Sequence, residues 1–224
     1  MVPERTARGE ADRISGRAAD PARMLKFEQE LWDAGYLHIA GIDEAGRGPL
    51  AGPVVAACVV FPTGAFLEGV RDSKKVPARR RELLFEIISK QALSVGLGIS
   101  DEKEIDRTNI LVATHRAMLE ALASLTIVPD YVLVDGTDLP CCPCPHRGII
   151  GGDDRSLSIA AASIMAKVTR DRLMTAYDRQ FPQYGFVRHK GYPTVQHRAA
   201  LSQYGWCEIH RRTFSWKAVK EAER

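Results

Sequence analysis

The sequence predicts an α/β fold, a core of strands and helices followed by a helical C-terminal portion. Three observations carry this. Two strand-like runs adjoin through a glycine-rich connection, helical and strand patterns then alternate, and from residue 157 onward only helical patterns remain. That order belongs to an α/β core with helices added at its end.

Taken in chain order, the stretch before about Pro21 is polar and Arg-rich without hydrophobic periodicity, and is expected to be a loose extension. The expected division is an extension over residues 1–23 and one folded domain over 24–224. Met24, Phe27 and Leu31 at helical spacing predict a short helix over residues 21–34, stopped by Gly35. Strands are predicted over 37–43 and 53–61, the second strongly β-prone through Val54, Val55, Val59 and Val60. Pro77 suits the first turn of a helix whose apolar face is Leu83, Leu84, Ile87 and Ile88, before another strand over 93–99. A further helix is predicted over 109–125. Tyr131, Val132, Leu133 and Val134 read as a buried strand that stops at Asp135 and Gly136, which puts a carboxylate at a strand end. The longest helix is predicted over 157–180, with Ile164 and Val168 on one side and Ser163, Lys167 and Arg170 sharing another. A last helix begins near Pro193 or Thr194 and ends near Gly205.

Composition narrows the class. Of the 224 residues, 45% are hydrophobic and 26% charged, and no apolar run approaches the roughly 20 residues that span a bilayer. No membrane association is expected. The first twenty residues lack the apolar centre of a secretion signal, so a cytoplasmic location and free thiols for the five cysteines are expected. The net charge of +3 is small, but basic residues from Lys167, Arg170 and Arg172 to Arg211, Arg212 and Arg224 outnumber the acids, and could neutralise phosphates.

The most informative stretch runs from Gly41 to Pro53, GIDEAGRGPLAGP. Gly41 and Gly46 have the separation of a phosphate-binding P-loop, but Arg47 and Gly48 stand where that motif needs Lys and Ser or Thr. Asp43 and Glu44 would also repel a bare phosphate. Adjacent acids at a strand end are better suited as ligands of a hard divalent cation, which joins carboxylate to phosphate oxygen. In a regular strand the two would point to opposite faces, so a shared site requires a bend at Glu44, for which Gly46 and Gly48 supply freedom. Taken alone, such a pair is ordinarily an exposed acidic turn. Asp135, and eighteen residues later Asp153 ahead of the longest helix, are further acids in comparable settings. Asp153 or Asp154 could also be an ordinary helix cap, the role that spacing alone favours, and sequence physics does not choose between them.

The blocks GIDEAGRGPLAGPVV, DSKK at Asp72 to Lys75, VLVDG at Val132 to Gly136, Gly152-Asp153, SIAAASIMAKVTRD from Ser158 to Asp171, and HKGYPT from His189 to Thr194 occur in an order that resembles bacterial ribonuclease HII. The resemblance covers the chain from about Met24 to the last helix. It implies a ribonuclease H-like fold, a mixed five-stranded sheet flanked by helices with a helical C-terminal extension. It also implies a metal-binding and catalytic quartet at Asp43, Glu44, Asp135 and Asp153, using Mg or Mn. The implied reaction is hydrolysis by activated water, cutting the RNA of RNA/DNA hybrids and the 5′ side of ribonucleotides in duplex DNA, to leave 5′-phosphate and 3′-hydroxyl ends.

On the same resemblance Gly46, Arg47 and Gly48 approach the 2′-hydroxyl through backbone groups, and Tyr192 stacks on the next sugar. Lys74, Ser163, Lys167 and Lys190 are expected at phosphates. Two departures stand out: Gly151 replaces a common Lys before Gly152-Asp153, and the extra Asp154 could take part of the metal role. Cys141, Cys142, Cys144 and His146 lie too close together for common zinc spacing and are expected in a thiol-rich surface loop. A monomer is expected. The competing readings are a ribonuclease HIII-like nuclease, disfavoured by the short leader, and a non-catalytic hybrid-binding module, which would not need four acids facing phosphate.

Overall fold

The computed structural model describes residues 21–214. The expected extension therefore falls largely outside the described residues, as do Lys217, Lys220 and Arg224. The helix expected over 21–34 is two pieces, α1 (Pro21–Met24) and α2 (Lys26–Asp33). Then follow β1 (Ile39–Ala45), β2 (Val54–Val60), α3 (Ala78–Gln91), β3 (Ser94–Ser100), α4 (Glu102–Arg107), α5 (Ile110–Ala123), β4 (Tyr131–Asp135) and β5 (His146–Ile149). The chain continues through α6 (Leu157–Gln180), α7 (Phe186–His189) and α8 (Val195–Tyr204).

The five strands form one mixed sheet in the order β3-β2-β1-β4-β5. Strands β1, β2 and β3 are antiparallel neighbours, whereas β4 lies parallel to β1 and β5 parallel to β4. Every residue of β2 is buried because both faces of the sheet are covered. Ala57 and Val59 face α3 and α6, while Val54, Ala56, Cys58 and Val60 face α5. Ile42, Leu84, Ile88, Ile105 and Leu133 are fully buried, each contributing about 1.5–3 kcal/mol relative to an exposed side chain.

Helix α6 is the organising element. It is buried on nearly all sides over its first ten residues, so the expected polar face holding Ser163 and Arg170 is interior as well. A Cβ at Gly41 would lie 2.1 Å from the Ser158 carbonyl carbon, so only glycine lets β1 cross the start of α6. Ser156 caps the helix through its hydroxyl and the Ile159 N–H. Neither Asp153 nor Asp154 is that cap. Buried Glu28 of α2 accepts bonds from Ser156 Oγ at 2.6 Å, Ser158 N at 3.0 Å and Ser158 Oγ at 2.7 Å, fixing the same terminus.

Several details differ from the sequence-based expectation. Pro77 precedes α3 as its cap residue, and Leu83 is exposed while Leu84 and Ile88 turn inward. The short α4 and the edge strand β5 lack a strong periodic signal. The cysteine loop leads straight into β5. Only Cys141 is exposed; Cys142 and Cys144 pack against the α5 side of the core with their sulfurs 3.9 Å apart.

Candidate active site

The pairing of β1 with β2 runs without interruption through Asp43, Glu44 and Ala45, opposite Ala57, Ala56 and Val55. The expected bend at Glu44 is absent, because the ladder hydrogen bonds hold the strand straight. Asp43 thus keeps the α6 face, where nearby Ser163 favours its charged form, and alternation gives Glu44 the opposite face. Asp135 ends β4, the parallel neighbour of β1, one residue beyond the Ile42 and Val134 pair. Asp153 sits in the 3₁₀ turn Gly152–Asp154, whose Gly152 N–H donates to Asp135 Oδ1 at 2.7 Å. Strand ends and one turn therefore bring the four predicted acids to one end of the sheet.

Their charges interact. Burial pushes the Asp43 carboxyl well above its ordinary range, and Glu44 and Asp135 push it further. Burial raises Glu44 too, against the pull of Arg47, whose Nη1 lies 3.2 Å from Glu44 Oε1. Burial, Asp135 and Asp72 raise Asp153 to about 6. Lys74 keeps its proton more firmly than usual: burial opposes its charge, but Asp72, Asp153, Asp43 and Asp135 together outweigh that. Asp154 is drawn away from the group by an ion pair with Lys75.

Oxygen donors with excess negative charge suit a hard divalent cation. As the side chains stand, no three His, Cys, Asp or Glu groups among the described residues gather closely enough to hold one. The carboxylates are turned to donors of their own: Asp43 Oδ1 to the Glu44 N–H at 2.7 Å, Asp135 to Gly152, and Glu44 to Arg47. The residue types and charge fit a cation; convergence on it requires rotation of these side chains.

The expected substrate contacts separate into two groups. Arg47, Gly48 and Tyr192 are exposed, with the Tyr192 ring edge 3.6 Å from the position a Cβ would take on Gly48. Lys190, in a left-handed conformation at φ 52°, bonds Thr175 Oγ1 at 3.1 Å. Ser163, by contrast, is buried against Ser73 Oγ at 2.9 Å and backs Asp43. Lys167 is ion-paired with Asp171. Of the basic residues considered as phosphate neutralisers, Arg170 and Arg211 are wholly buried and closed to a phosphate.

Those arginines instead organise the 46–53 segment, a role the sequence reading missed. Arg170 donates to Pro53 O, Ala51 O and Lys190 O at 2.9, 3.1 and 3.0 Å. Gly46 has φ +100°, and a Cβ there would lie 2.1 Å from Arg170 Nε, so the residue type is dictated twice. Asp72, whose carboxylate accepts the Lys74 N–H at 2.9 Å, was also passed over as a member of the acidic group. Its signal was the acid placed directly before Ser73-Lys74-Lys75.

Among known proteins, the sequence profile described as Ribonuclease HII matches residues 40–218. Ribonuclease HII of Geotalea daltonii is 57% identical over 198 residues, covering 88% of this chain and 91% of the relative. The crystal structure of ribonuclease H2 from Pyrococcus horikoshii OT3 superposes with a TM-score of 0.68 at 29% identity, covering 84% of this chain and 97% of that one. Ribonuclease HII of Archaeoglobus fulgidus, solved as a complex with PCNA, gives 0.67 at 26% identity over 81% and 96%. The matched span includes the acid-bearing strands, the turn before α6 and the HKGYPT block. The chain belongs to the ribonuclease HII family, metal-dependent endonucleases that degrade the RNA of RNA/DNA hybrids.

Proposed function

We propose that Asp43, Glu44, Asp135 and Asp153 hold Mg or Mn and that the chain cuts on the 5′ side of ribonucleotides embedded in duplex DNA as well as in RNA/DNA hybrids. The observation that carries this reading is the cluster itself: buried and half-buried, mutually repelling carboxylates at one end of the sheet, with Lys74 the nearby cation that they hold charged. A bound divalent cation supplies an activated water and neutralises the scissile phosphate. Asp43, backed by Ser163, and Asp135, held by the Gly152 N–H, are the positioned ligands. Glu44, now bonded to Arg47, would be the fourth ligand, and Arg47 would then be available to the substrate. Lys74 and Lys190 face phosphates, Gly46 to Gly48 face the 2′-hydroxyl, and the exposed Tyr192 ring takes the next sugar. Ser163, enclosed against Ser73, supports from within, whereas Lys167, partly exposed and paired with Asp171, keeps its expected phosphate role. The products carry 5′-phosphate and 3′-hydroxyl ends.

The test is a DNA duplex with a single ribonucleotide, incubated with Mg or Mn and the full-length protein. Cleavage at the 5′ side of that ribonucleotide is expected, and an intact substrate after incubation with folded, metal-loaded protein would sink the reading. The same proposal treats residues 24–224 as one catalytic unit, acting as a monomer in the cytoplasm. Sedimentation and cell fractionation check these two points. No helix among the described residues is long and apolar enough to cross a membrane.

A further inference from the structure

Among the described residues Arg211 has every side-chain donor bonded. It is fully buried, and its guanidinium donates to Gly52 O through Nε at 2.9 Å and Nη2 at 2.7 Å, to Arg47 O at 3.0 Å and Pro49 O at 2.8 Å through Nη1, and to Gly46 O at 2.6 Å through Nη2. Those five bonds use every N–H that an arginine has. Its own backbone N–H adds Leu50 O at 2.8 Å. The segment around it is pinned in turn: Asp106 accepts the Arg212 and Thr213 N–H groups at 2.7 and 2.9 Å, and the Phe214 ring lies 4.9 Å from the guanidinium carbon.

The effect on the loop follows from peptide geometry. No cis peptide bond occurs among the described residues, and in a trans peptide the C=O and the next N–H point in opposite directions. With Gly46 O and Arg47 O turned inward to Arg211, the N–H groups of Arg47 and Gly48 must point outward. The inward-facing Pro49 O has the same effect one step on, but there the Leu50 N–H finds Gly191 O at 2.9 Å. Among the described residues the Arg47 and Gly48 N–H groups have no acceptor. They stand at exposed positions between the Glu44 carboxylate and the Tyr192 ring.

We infer that Arg211 is a positioning residue for recognition of ribose: by drawing the carbonyls of Gly46, Arg47, Pro49 and Gly52 inward it presents the Arg47 and Gly48 N–H groups as a fixed pair of donors for one substrate oxygen, the 2′-hydroxyl. This rests on the reading above that the Gly46 to Gly48 segment meets the ribose. Lysine cannot substitute, since three donors on a flexible stem cannot satisfy carbonyls spread in one plane.

The experiment compares binding of the full-length protein, without divalent metal, to a DNA duplex carrying one ribonucleotide and to the all-deoxy duplex of the same sequence. Wild-type protein is expected to prefer the ribo duplex. Arg211→Lys, folded by circular dichroism, is expected to keep its affinity for the all-deoxy duplex while the preference shrinks about tenfold, the scale of one lost hydrogen bond. An Arg211→Lys protein with undiminished preference overturns the role of Arg211 and leaves the underlying reading standing. A wild-type protein without any preference overturns the reading, and the inference with it. Should the variant not fold, amide exchange in the wild type decides: the Arg47 and Gly48 amides are expected to exchange fast in the free protein and to be slowed by the ribo duplex only. Slow exchange in the free protein overturns the inference.

Discussion

On either side of the 46–52 segment the molecule buries charge of opposite sign, and treats it in opposite ways. Arg170 and Arg211 are surrounded by carbonyl acceptors, eight side-chain bonds between them. Burial still lowers Arg211 to about 9, with Arg170 next in effect, and lowers Arg170 to about 10. The carboxylates of the candidate site are incompletely matched, so that burial and mutual repulsion raise Asp43, Glu44 and Asp153. A charge satisfied by backbone stabilises one conformation, whereas a charge left in deficit is an affinity for something not yet bound. The two sides differ as scaffold and site.

The largest expected effect tests the site. Asp135→Asn should lower kcat more than about a hundredfold, beyond the range for losing a merely supporting partner of a metal ligand, with duplex binding retained. Wild-type rates from that variant would remove Asp135 from the site. The scaffold predicts the reverse pattern: Arg211→Ala strands several buried carbonyls and should destabilise the fold by about 4 kcal/mol. A denaturant midpoint close to wild type would break the contrast.

A third measurement sharpens it. Added Mg or Mn at a hundred times its dissociation constant should stabilise by about 2.7 kcal/mol, raising Tm by roughly 5–10 °C. Asp43→Asn should blunt that rise; an equal rise in the variant would place the cation elsewhere.

The smallest effect is on pH dependence, where two regions act with opposite sign. Near α8 the Cys207 N–H donates to His210 Nδ1, His210 Nε2 lies 3.1 Å from His197 Nε2, and His197 Nδ1 lies 3.0 Å from Tyr192 O. This chain of bonds requires both rings neutral, and burial lowers His197 to about 4 and His210 to about 3. Since the unfolded chain takes up these protons near pH 6.5, the stability they contribute is complete above that value and is lost as pH falls toward 4 and 3. Asp153, raised to about 6, opposes the loss: folded protein keeps its proton through a window in which the unfolded chain releases it, so this contribution grows as pH falls from 6 toward 4. In metal-free protein Asp153→Asn should therefore steepen the acid loss of Tm between pH 6 and 4. An unchanged profile would separate Asp153 from the acidic cluster.

The contrast also explains what could be read from sequence. Strands β1, β2 and β4 and helix α6 carry strong periodic or β-branched signals, and their ends bear the acids. The places of Asp43 and Asp135 at strand ends were legible in the sequence, while their metal role and the choice of Asp153 over Asp154 rested on the family resemblance; Asp154 is ion-paired with Lys75. Arg170 and Arg211 were illegible because an arginine that bonds only carbonyls leaves no partner pattern in sequence; apart from Lys190 O, their side-chain acceptors are backbone atoms more than a hundred residues away. Ser163 was expected at a phosphate through the family resemblance; its enclosure was hidden because α6, buried throughout its first ten residues, has no polar face there to mark which polar residues are interior.

That remote clamp also orders events in time during synthesis. All four candidate catalytic acids have been made once residue 153 is added, but the residue that sets the 46–52 carbonyls arrives only at position 211. At ribosomal rates the gap lasts on the order of 3–12 s. A nascent chain in that interval carries the acids without the loop geometry proposed to read ribose. Chains arrested on the ribosome before Arg211 are expected to bind ribo and all-deoxy duplexes alike, and chains arrested well beyond it to tell them apart.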